Sequence, residues 1–199
     1  MRLAILLSGR GSNFQAIHKA VRGGTLPAEI VCVLSSRPDA MGIERALGAG
    51  YATHVVDHQA YPSRSAHEEV VLRILDEARP DFIVLAGYMR LLSAAFVERF
   101  RNRILNIHPS LLPSFPGVDA QAQAVAYGVK VSGCTVHFVD EQLDAGPILV
   151  QRTVEVREDD TDATLGARIL EQEHEAYVEA LQKLATREHR IVGRRVVFS

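Results

Sequence analysis

Short apolar runs alternate with helix-like segments along most of this chain, and this alternation constrains the fold more than any other feature. Runs with the length and composition of buried strands occur at residues 3–7, 30–34, 53–56, 82–86, 104–108 and 134–139. Between the first two, Phe14, Ile17 and Val21 recur at helical spacing before Gly23-Gly24. This rhythm is typical of a mostly parallel sheet covered by helices on both faces.

The remaining elements extend the same pattern and then change its character. Ser65-Ala-His-Glu68 predicts a capping box for a helix that ends at Pro80, and a shorter helix is predicted over 93–100. Residues 148–156 alternate like an antiparallel or edge strand, and a long helix follows over about 162–184. The tail is predicted to form a strand pair that turns at Gly193. The fold class is therefore α/β, a twisted sheet of about seven strands with an antiparallel C-terminal part.

Composition narrows the classes of partner. A chain of 199 residues with 47% hydrophobic and 23% charged residues suits one globular domain, and a net charge of −2 predicts no nucleic-acid partner. No apolar run approaches the roughly 18 residues of a membrane span, and the N-terminal run is too short for a signal peptide. Cys32 and Cys134 lack metal-ligand spacing and are predicted to be buried thiols in a reducing compartment, so we expect a cytoplasmic protein.

The stretch from Leu105 to Gly117 is the most informative about function. Alternate side chains of a strand share a face, so Asn106 and His108 are predicted to point the same way, and Pro109 then ends the strand. An amide and an imidazole thus lie at the C-terminal end of a buried strand, where ligands bind in open α/β sheets. The alternative is a polar strand end that only caps the core.

Two loops after other strands carry further candidates. Gly11, Ser12 and Asn13 join the first strand to the first helix, where backbone N–H groups and the helix dipole favour an anion such as one phosphate group. The alternative is a plain strand-to-helix turn, since the loop matches neither the dinucleotide fingerprint nor the P-loop. Residues 86–92 could hold a flat heterocycle by backbone hydrogen bonds and apolar contact, or belong to the core.

An acidic loop at 140–147 follows the sixth strand and is predicted to reach His108. A carboxylate from this loop would favour the charged imidazole and fix its tautomer, whereas many acidic turns are only solvated. His137 lies within the sixth strand, where it could support the site, but a satisfied structural histidine is the preferred interpretation. The other histidines show no metal-ligand grouping, so no metal is predicted.

Four motifs taken together carry a family resemblance over essentially the whole chain. These are Leu-Leu-Ser-Gly-Arg-Gly-Ser-Asn, Ala-Gly-Tyr-Met-Arg-Leu-Leu, Asn-Ile-His-Pro-Ser-Leu-Leu-Pro-Ser-Phe-Pro-Gly, and Gly-Cys-Thr-Val-His-Phe-Val-Asp followed by Leu-Asp-Ala-Gly-Pro-Ile. They closely resemble the monofunctional phosphoribosylglycinamide formyltransferases of purine biosynthesis. The resemblance implies a Rossmann-like formyltransferase fold in a single domain over 1–199, with a phosphate-binding half at 1–100 and a catalytic and folate-binding half at 101–199.

The resemblance also implies a reaction and a set of site residues. The expected reaction is formyl transfer from 10-formyltetrahydrofolate to 5′-phosphoribosylglycinamide, without a metal, by a monomer or homodimer. The catalytic group would be Asn106, His108 and Asp144. Substrate contacts would come from Gly11, Ser12, Asn13 and Glu173, and folate contacts from Arg64, Met89, Arg90, Leu91, Leu92, Asn106, Asp140, Glu141, Gln142, Leu143 and Asp144.

The chemistry of these residue types fits the reaction independently. Attack of a neutral amine on the formyl carbon creates an oxyanion, which an amide N–H and a protonated imidazole can both stabilise. The sequence departs from relatives at Val118-Asp119-Ala120-Gln121, where they often carry a histidine, and Thr135 replaces the Ser of some relatives.

Three alternatives remain open. A formyltetrahydrofolate hydrolase is expected to have an additional N-terminal domain, whereas this chain begins directly at its first strand. A methionyl-tRNA formyltransferase is expected to have a basic C-terminal domain. A non-catalytic nucleotide-binding module would use the Ser12 loop alone and would not need the catalytic group.

Overall fold

The computed structural model describes residues 1–199, which form two compact units, Met1–Leu105 and Asn106–Ser199. The strands are β1 Arg2–Leu7, β2 Glu29–Ser35, β3 Thr53–Val55, β4 Phe82–Leu85, β5 Ile104–His108, β6 Val131–Phe138, β7 Ile148–Glu155, β8 His189–Val192 and β9 Arg195–Phe198. The helices are α1 Ser12–Arg22, α2 Met41–Gly48, α3 Arg64–Ala78, α4 Ala94–Arg99, α5 Ala120–Tyr127 and α6 Asp162–Thr186, with a 3-10 turn at His58–Ala60. The single-domain assignment over 1–199 stays a prediction.

The first unit contains a parallel sheet in the order β3-β2-β1-β4. Strand β1 lies inside this sheet with parallel partners on both sides, and its residues from Leu3 to Leu7 are fully buried. A strand buried on both faces needs apolar side chains at every position, which explains the unbroken apolar run in the sequence. The predicted parallel arrangement is therefore confirmed.

The helices of the first unit differ from the prediction in two places. Helix α3 begins after Ser63, whose side chain accepts a hydrogen bond from the Ala66 N–H, so the predicted capping box at Ser65 is wrong. Ser63 gives the cap because Arg64 already has helical geometry. Helix α2 was not predicted, since only Gly42, Ile43 and Ala46 are buried and so few positions make no clear periodic pattern.

The second unit is the antiparallel part. Strands β6 and β7 pair antiparallel over most of their length, β8 and β9 form the predicted hairpin around Gly193, and β9 pairs with β7 in parallel at a single register position. Helix α6 packs against β6 and β7 and is capped by Thr161, whose side chain accepts from the Thr164 N–H. Helix α5 was not predicted, because only Ala120 and Ala124 are buried in it.

The α/β class and the antiparallel C-terminal part are confirmed, with nine strands where about seven were predicted. Strand β6 begins at Val131, earlier than predicted, because Ser132 and Gly133 are buried although they are not large apolar residues. A Cβ at Gly133 would lie 1.9 Å from the Arg152 carbonyl oxygen, so only glycine fits this pairing. No helix in the structure combines the length and the apolar character that crossing a membrane requires.

Candidate active site

Four polar side chains of the second unit lie together: two on β5, one on β6 and one in the loop that follows β6. Nδ1 of His108 is 3.4 Å from Oδ2 of Asp144, and Nε2 of His137 is 3.8 Å from Oδ1 of the same carboxylate. Nδ2 of Asn106 is 3.4 Å from Nε2 of His137. The structure therefore brings together the three predicted catalytic residues and adds His137, which we name the Asn106–His108–His137–Asp144 cluster.

The hydrogen bonds of His108 define which protons its ring carries. Nε2 lies 2.8 Å from the carbonyl oxygen of Phe115, and a carbonyl can only accept, so the proton is on Nε2. Nδ1 then faces the Asp144 carboxylate, which also only accepts when ionised. Both contacts are satisfied together when both ring nitrogens carry a proton. The side chains of His108 and Asp144 are only 5% and 9% exposed, so this contact is shielded from water.

Asp144 is held by an unusual backbone conformation and by a tight loop. Its φ is 50°, in the left-handed region that short polar residues tolerate, and its Oδ2 accepts the Gly117 N–H at 2.8 Å. The loop closes where the Phe138 N–H donates to the Pro147 carbonyl. A Cβ at Gly146 would lie 1.9 Å from the Phe138 carbonyl oxygen, which explains why glycine stands two residues after Asp144 in the sequence motif.

His137 is oriented by the backbone of its own strand. Its Nδ1 lies 2.9 Å from the carbonyl oxygen of Phe138, which can only accept, so the proton of the neutral ring is on Nδ1. Burial lowers the pKa of His137, although the Phe138 carbonyl and the Asp144 carboxylate act in the opposite direction. The ring is therefore neutral at pH 7 and its Nε2 is a hydrogen-bond acceptor.

A hydrogen-bond network of buried Thr135 and exposed Gln151 supports the loop between β5 and Gly117, and sequence reasoning missed most of it. The hydroxyl of Thr135 donates to the Ser110 carbonyl at 2.7 Å and accepts from the Leu112 N–H at 3.0 Å. Nε2 of Gln151 donates to the same hydroxyl at 3.0 Å and to the Leu112 carbonyl at 2.8 Å. Only the placement of Thr135 in an apolar strand hinted at this role. The network fixes the loop that presents Phe115 to His108.

Phe115 itself is a functional position that the sequence did not indicate. Its φ is 53°, a conformation that is rare for a bulky residue and costs on the order of 1–3 kcal/mol. Such strain persists only where surrounding structure imposes it, and here the strained residue provides the carbonyl that binds His108. A backbone carbonyl leaves no mark in a sequence, so no pattern could have found it.

The cluster can act on a carbonyl group. A charged imidazole and an amide N–H are donors that stabilise an oxyanion as it forms, and the low exposure of the cluster strengthens both interactions. The Asp144 carboxylate balances the imidazolium charge and can accept a proton or a hydrogen bond from an ordered water. The structure shows no group of three or more His, Cys, Asp or Glu side chains that could hold a metal ion, and a metal-free reaction stays a prediction.

The predicted phosphate loop belongs to the first unit. Gly11 has a φ of 71° directly before α1, Ser12 is the first residue of that helix, and Asn13 is buried. A Cβ at Gly11 would lie 2.7 Å from Cα of Gly42, so the loop packs closely against the start of α2. A glycine-rich turn that leads into a helix N-terminus is suited to bind one phosphate group, and this role stays a prediction.

The predicted folate residues occupy four places in the chain, one of which is Asn106 on β5, described above. In the first unit, Arg64 is the exposed first residue of α3, and Met89, Arg90, Leu91 and Leu92 form the loop after β4, with Met89 77% exposed. The hydroxyl of Ser8 accepts the Met89 N–H at 2.9 Å and so orders this loop. In the second unit, the segment Asp140, Glu141, Gln142 and Leu143 leads directly into Asp144. Their contacts with folate stay predictions.

Glu173, the predicted substrate contact on α6, is buried with 8% exposure in the second unit. Its contact with the substrate stays a prediction.

Comparison with known proteins extends these observations beyond the geometry. Residues 1–181 match the formyl transferase family. Phosphoribosylglycinamide formyltransferase of Escherichia coli (strain K12) is 43% identical over 177 residues, which cover 89% of this chain and 84% of that protein. The trifunctional purine biosynthetic protein adenosine-3 of Drosophila pseudoobscura pseudoobscura is 47% identical over 93% of this chain. The chain spans only 14% of the length of that fly protein.

Solved structures agree with these matches. Glycinamide ribonucleotide transformylase 1 from Symbiobacterium toebii superimposes with a TM-score of 0.96 at 48% identity, covering 100% of this chain and 93% of that one. A formyltetrahydrofolate deformylase from Pseudomonas syringae pv. tomato is less similar, with a TM-score of 0.90 at 26% identity over 99% of this chain and 65% of that one. The family match, the similar relatives and the solved structures agree with the geometry of the cluster, and together they show that the chain belongs to the formyl transferase family.

Proposed function

We propose that this protein transfers a formyl group from 10-formyltetrahydrofolate to the amine of 5′-phosphoribosylglycinamide, within de novo purine (IMP) biosynthesis. The products are 5′-phosphoribosyl-N-formylglycinamide and tetrahydrofolate. The observation that carries the proposal is the convergence of Asn106, His108 and Asp144 in one buried cluster. The similarity of this chain to the E. coli formyltransferase and the S. toebii transformylase supports the choice of substrates.

The cluster suggests how the reaction proceeds. The neutral glycyl amine attacks the formyl carbon, a carbon–nitrogen bond forms, and the carbonyl oxygen becomes an oxyanion. Asn106 and the charged ring of His108 stabilise that oxyanion by hydrogen bonds. The ammonium nitrogen then loses a proton towards Asp144, directly or through an ordered water. Collapse of the intermediate breaks the bond to N10 of the folate, and N10 takes up a proton.

Binding of the two substrates rests on the predicted residues. We assign the ribonucleotide phosphate to the loop of Gly11, Ser12 and Asn13, and a further substrate contact to Glu173. The folate is assigned to Arg64, to the loop from Met89 to Leu92, to Asn106, and to the segment from Asp140 to Asp144. We also propose that the reaction takes place in the cytosol, in agreement with the two buried free thiols.

A direct assay tests this proposal. Purified protein is incubated with 10-formyltetrahydrofolate and 5′-phosphoribosylglycinamide, and the ribonucleotide is analysed by mass spectrometry for one added formyl group. We expect formylation by the unmodified protein and a steep loss in Asp144→Asn, which keeps the shape of the side chain but removes its charge. Formate release that does not require the ribonucleotide would identify a hydrolase instead. Binding of the ribonucleotide without any turnover would identify a non-catalytic module.

A further inference from the structure

His137 is a buried, polar member of the cluster to which the proposed mechanism gives no task. Its side chain is 2% exposed and lies on β6 between Val136 and Phe138, both buried in the core. A phenylalanine or leucine would bury apolar area there without the cost of placing a polar ring in the interior. The position therefore requires a specific reason for an imidazole.

The contacts of the ring provide that reason. Because the Phe138 carbonyl binds the proton on Nδ1, Nε2 presents a lone pair, and the atom it faces is Nδ2 of Asn106 at 3.4 Å. A lone pair attracts an amide N–H and repels an amide oxygen, so the interaction selects one of the two amide orientations of Asn106. At this long distance the contact contributes little energy, and its effect is on orientation.

The selected orientation is the one that an oxyanion requires. Nε2 of His137 is also 3.8 Å from Oδ1 of Asp144, so the amino group of Asn106 and the Asp144 carboxylate both lie near this one ring nitrogen. An amino group carries two N–H bonds, of which His137 binds one and leaves the other to donate to a reacting oxygen. The flipped amide would present its own oxygen there and repel the developing negative charge.

We propose that His137 is a positioning residue for the formyl transfer, acting as a neutral hydrogen-bond acceptor that holds the Asn106 amide with its N–H groups towards the reacting oxygen. This inference rests on the proposed function, because the oxyanion belongs to that reaction. The His137 ring must stay neutral although titratable groups lie around it. The carboxylates of Asp144 and Asp140 raise its pKa, whereas His108 lowers it. Burial opposes its protonation more strongly than the carboxylates favour it.

Steady-state kinetics test the role in the reaction. We expect His137→Leu to lower kcat about ten- to hundredfold with KM for both substrates within about twofold, as for a misplaced group rather than a lost contact. His137→Gln, whose side-chain oxygen can also accept from Asn106, should retain most of the activity. His18→Leu is the matched control. It removes an imidazole that is far from the cluster in the sequence and that forms a hydrogen bond of 2.8 Å with the hydroxyl of Tyr51.

A double-mutant cycle separates positioning from general destabilisation. If His137 acts through Asn106, His137→Leu should cost little further activity in the Asn106→Ala background. Equal losses of kcat in the two backgrounds, or equal losses for His137→Leu and His137→Gln, would overturn the proposal and leave His137 a structural residue.

A spectroscopic experiment tests the protonation of the His137 ring without any turnover. In protein labelled with 15N-histidine, the resonances of His137 are assigned by their loss in His137→Leu. We expect an unprotonated Nε2 and a protonated Nδ1 at pH 7.5, and a protonated Nε2 would overturn the proposal. If the unmodified protein formylates no ribonucleotide, the proposed function fails, while this measurement still decides whether His137 is the acceptor described here.

Discussion

The side-chain amide of Asn106, to which we assign a role in the reaction, lies between two core residues of the same strand. It lies half-buried at the end of β5, with Nδ2 bound to His137, whereas its neighbours Leu105 and Ile107 are in the core. The apolar neighbours keep the strand in place, so the amide is available for the reacting oxygen. Fold and function therefore depend on alternate positions of one short strand.

Replacing Asn106 by alanine should lower kcat by roughly a hundredfold or more, about 3 kcal/mol, because one oxyanion donor is lost. The melting temperature should change little, since the amide is not part of the core. Gln59→Ala, which removes an exposed amide from the first unit, is the control and should leave kcat unchanged. Turnover near that of the unmodified protein would remove Asn106 from the mechanism.

Gly11 is a second position at which a single atom matters. Its φ of 71° favours glycine, and an added Cβ would lie 2.7 Å from the backbone of Gly42. Gly11→Ala should therefore displace the loop and weaken binding of the ribonucleotide by tenfold or more, while binding of a folate analogue changes little. Gly48→Ala is the control, because a Cβ there meets no atom within 4 Å and its φ is ordinary.

Isothermal titration calorimetry with each ligand measures both effects for Gly11→Ala. Equal weakening of ribonucleotide and folate binding would indicate general misfolding and would argue against a phosphate site at this loop.

At the scale of elements, strand β7 supports the cluster without contributing a residue to it. Its Gln151 binds Thr135 on β6 and the carbonyl of Leu112 in the loop after β5. The loop has no regular hydrogen-bond ladder of its own, so these side-chain bonds define where its backbone lies. Because the loop presents the Phe115 carbonyl to His108, a residue on β7 helps to orient the catalytic imidazole.

Gln151→Leu should leave the Leu112 carbonyl without this partner and loosen the loop. We expect kcat to fall several-fold and the stability to fall by about 1 kcal/mol, the usual net contribution of one hydrogen bond. Val154→Ala, on the same strand, should destabilise the protein to a similar extent by leaving a cavity but should not lower kcat. The comparison is made by thermal unfolding and by kinetics well below the melting temperature. Equal kcat values for both variants would refute the positioning role of β7.

At the scale of the whole molecule, each unit contains a buried histidine that resists protonation. Burial lowers the pKa of His67, which lies in the first unit with 4% exposure, and Nε2 of this ring donates to the Val56 carbonyl at 3.0 Å. Burial likewise lowers the pKa of His137 in the second unit. In the unfolded chain both rings take up a proton near pH 6.5.

These two histidines should make the protein less stable in mild acid. The folded state keeps both rings neutral at a pH where the unfolded state binds their protons, so acid favours unfolding. The free energy of unfolding should therefore decrease as the pH falls from 7 to 5, a range in which most carboxylates remain ionised. Urea unfolding at several pH values measures this slope. It should be smaller in His67→Gln, and an unchanged slope in that variant would contradict the assignment.

The sequence alone determined the order and type of the main helices and strands. It also contains, at the strand ends, the motifs that indicate the family. The buried strands β1 and β4 appeared as apolar runs because burial on both faces allows no polar position. The spacing of Asn106 and His108 followed from the period of two in a strand, and the structure places His108 beside Asp144 and Asn106 beside His137. Their individual roles in catalysis stay predictions that the experiments above can test.

Only the tertiary structure decided how the cluster is held. The bond of His108 to the Phe115 carbonyl, the bonds of Gln151 to Thr135 and to the Leu112 carbonyl, and the contact of Gly11 with Gly42 all form only on folding. Most of them involve backbone atoms, which every residue has. Helices α2 and α5 were also missed, because a short helix with two or three buried positions depends on packing rather than on its own pattern. Local periodicity is present in the sequence, whereas the orientation of the His108 and His137 rings is set by hydrogen bonds to carbonyl oxygens that only the folded structure places.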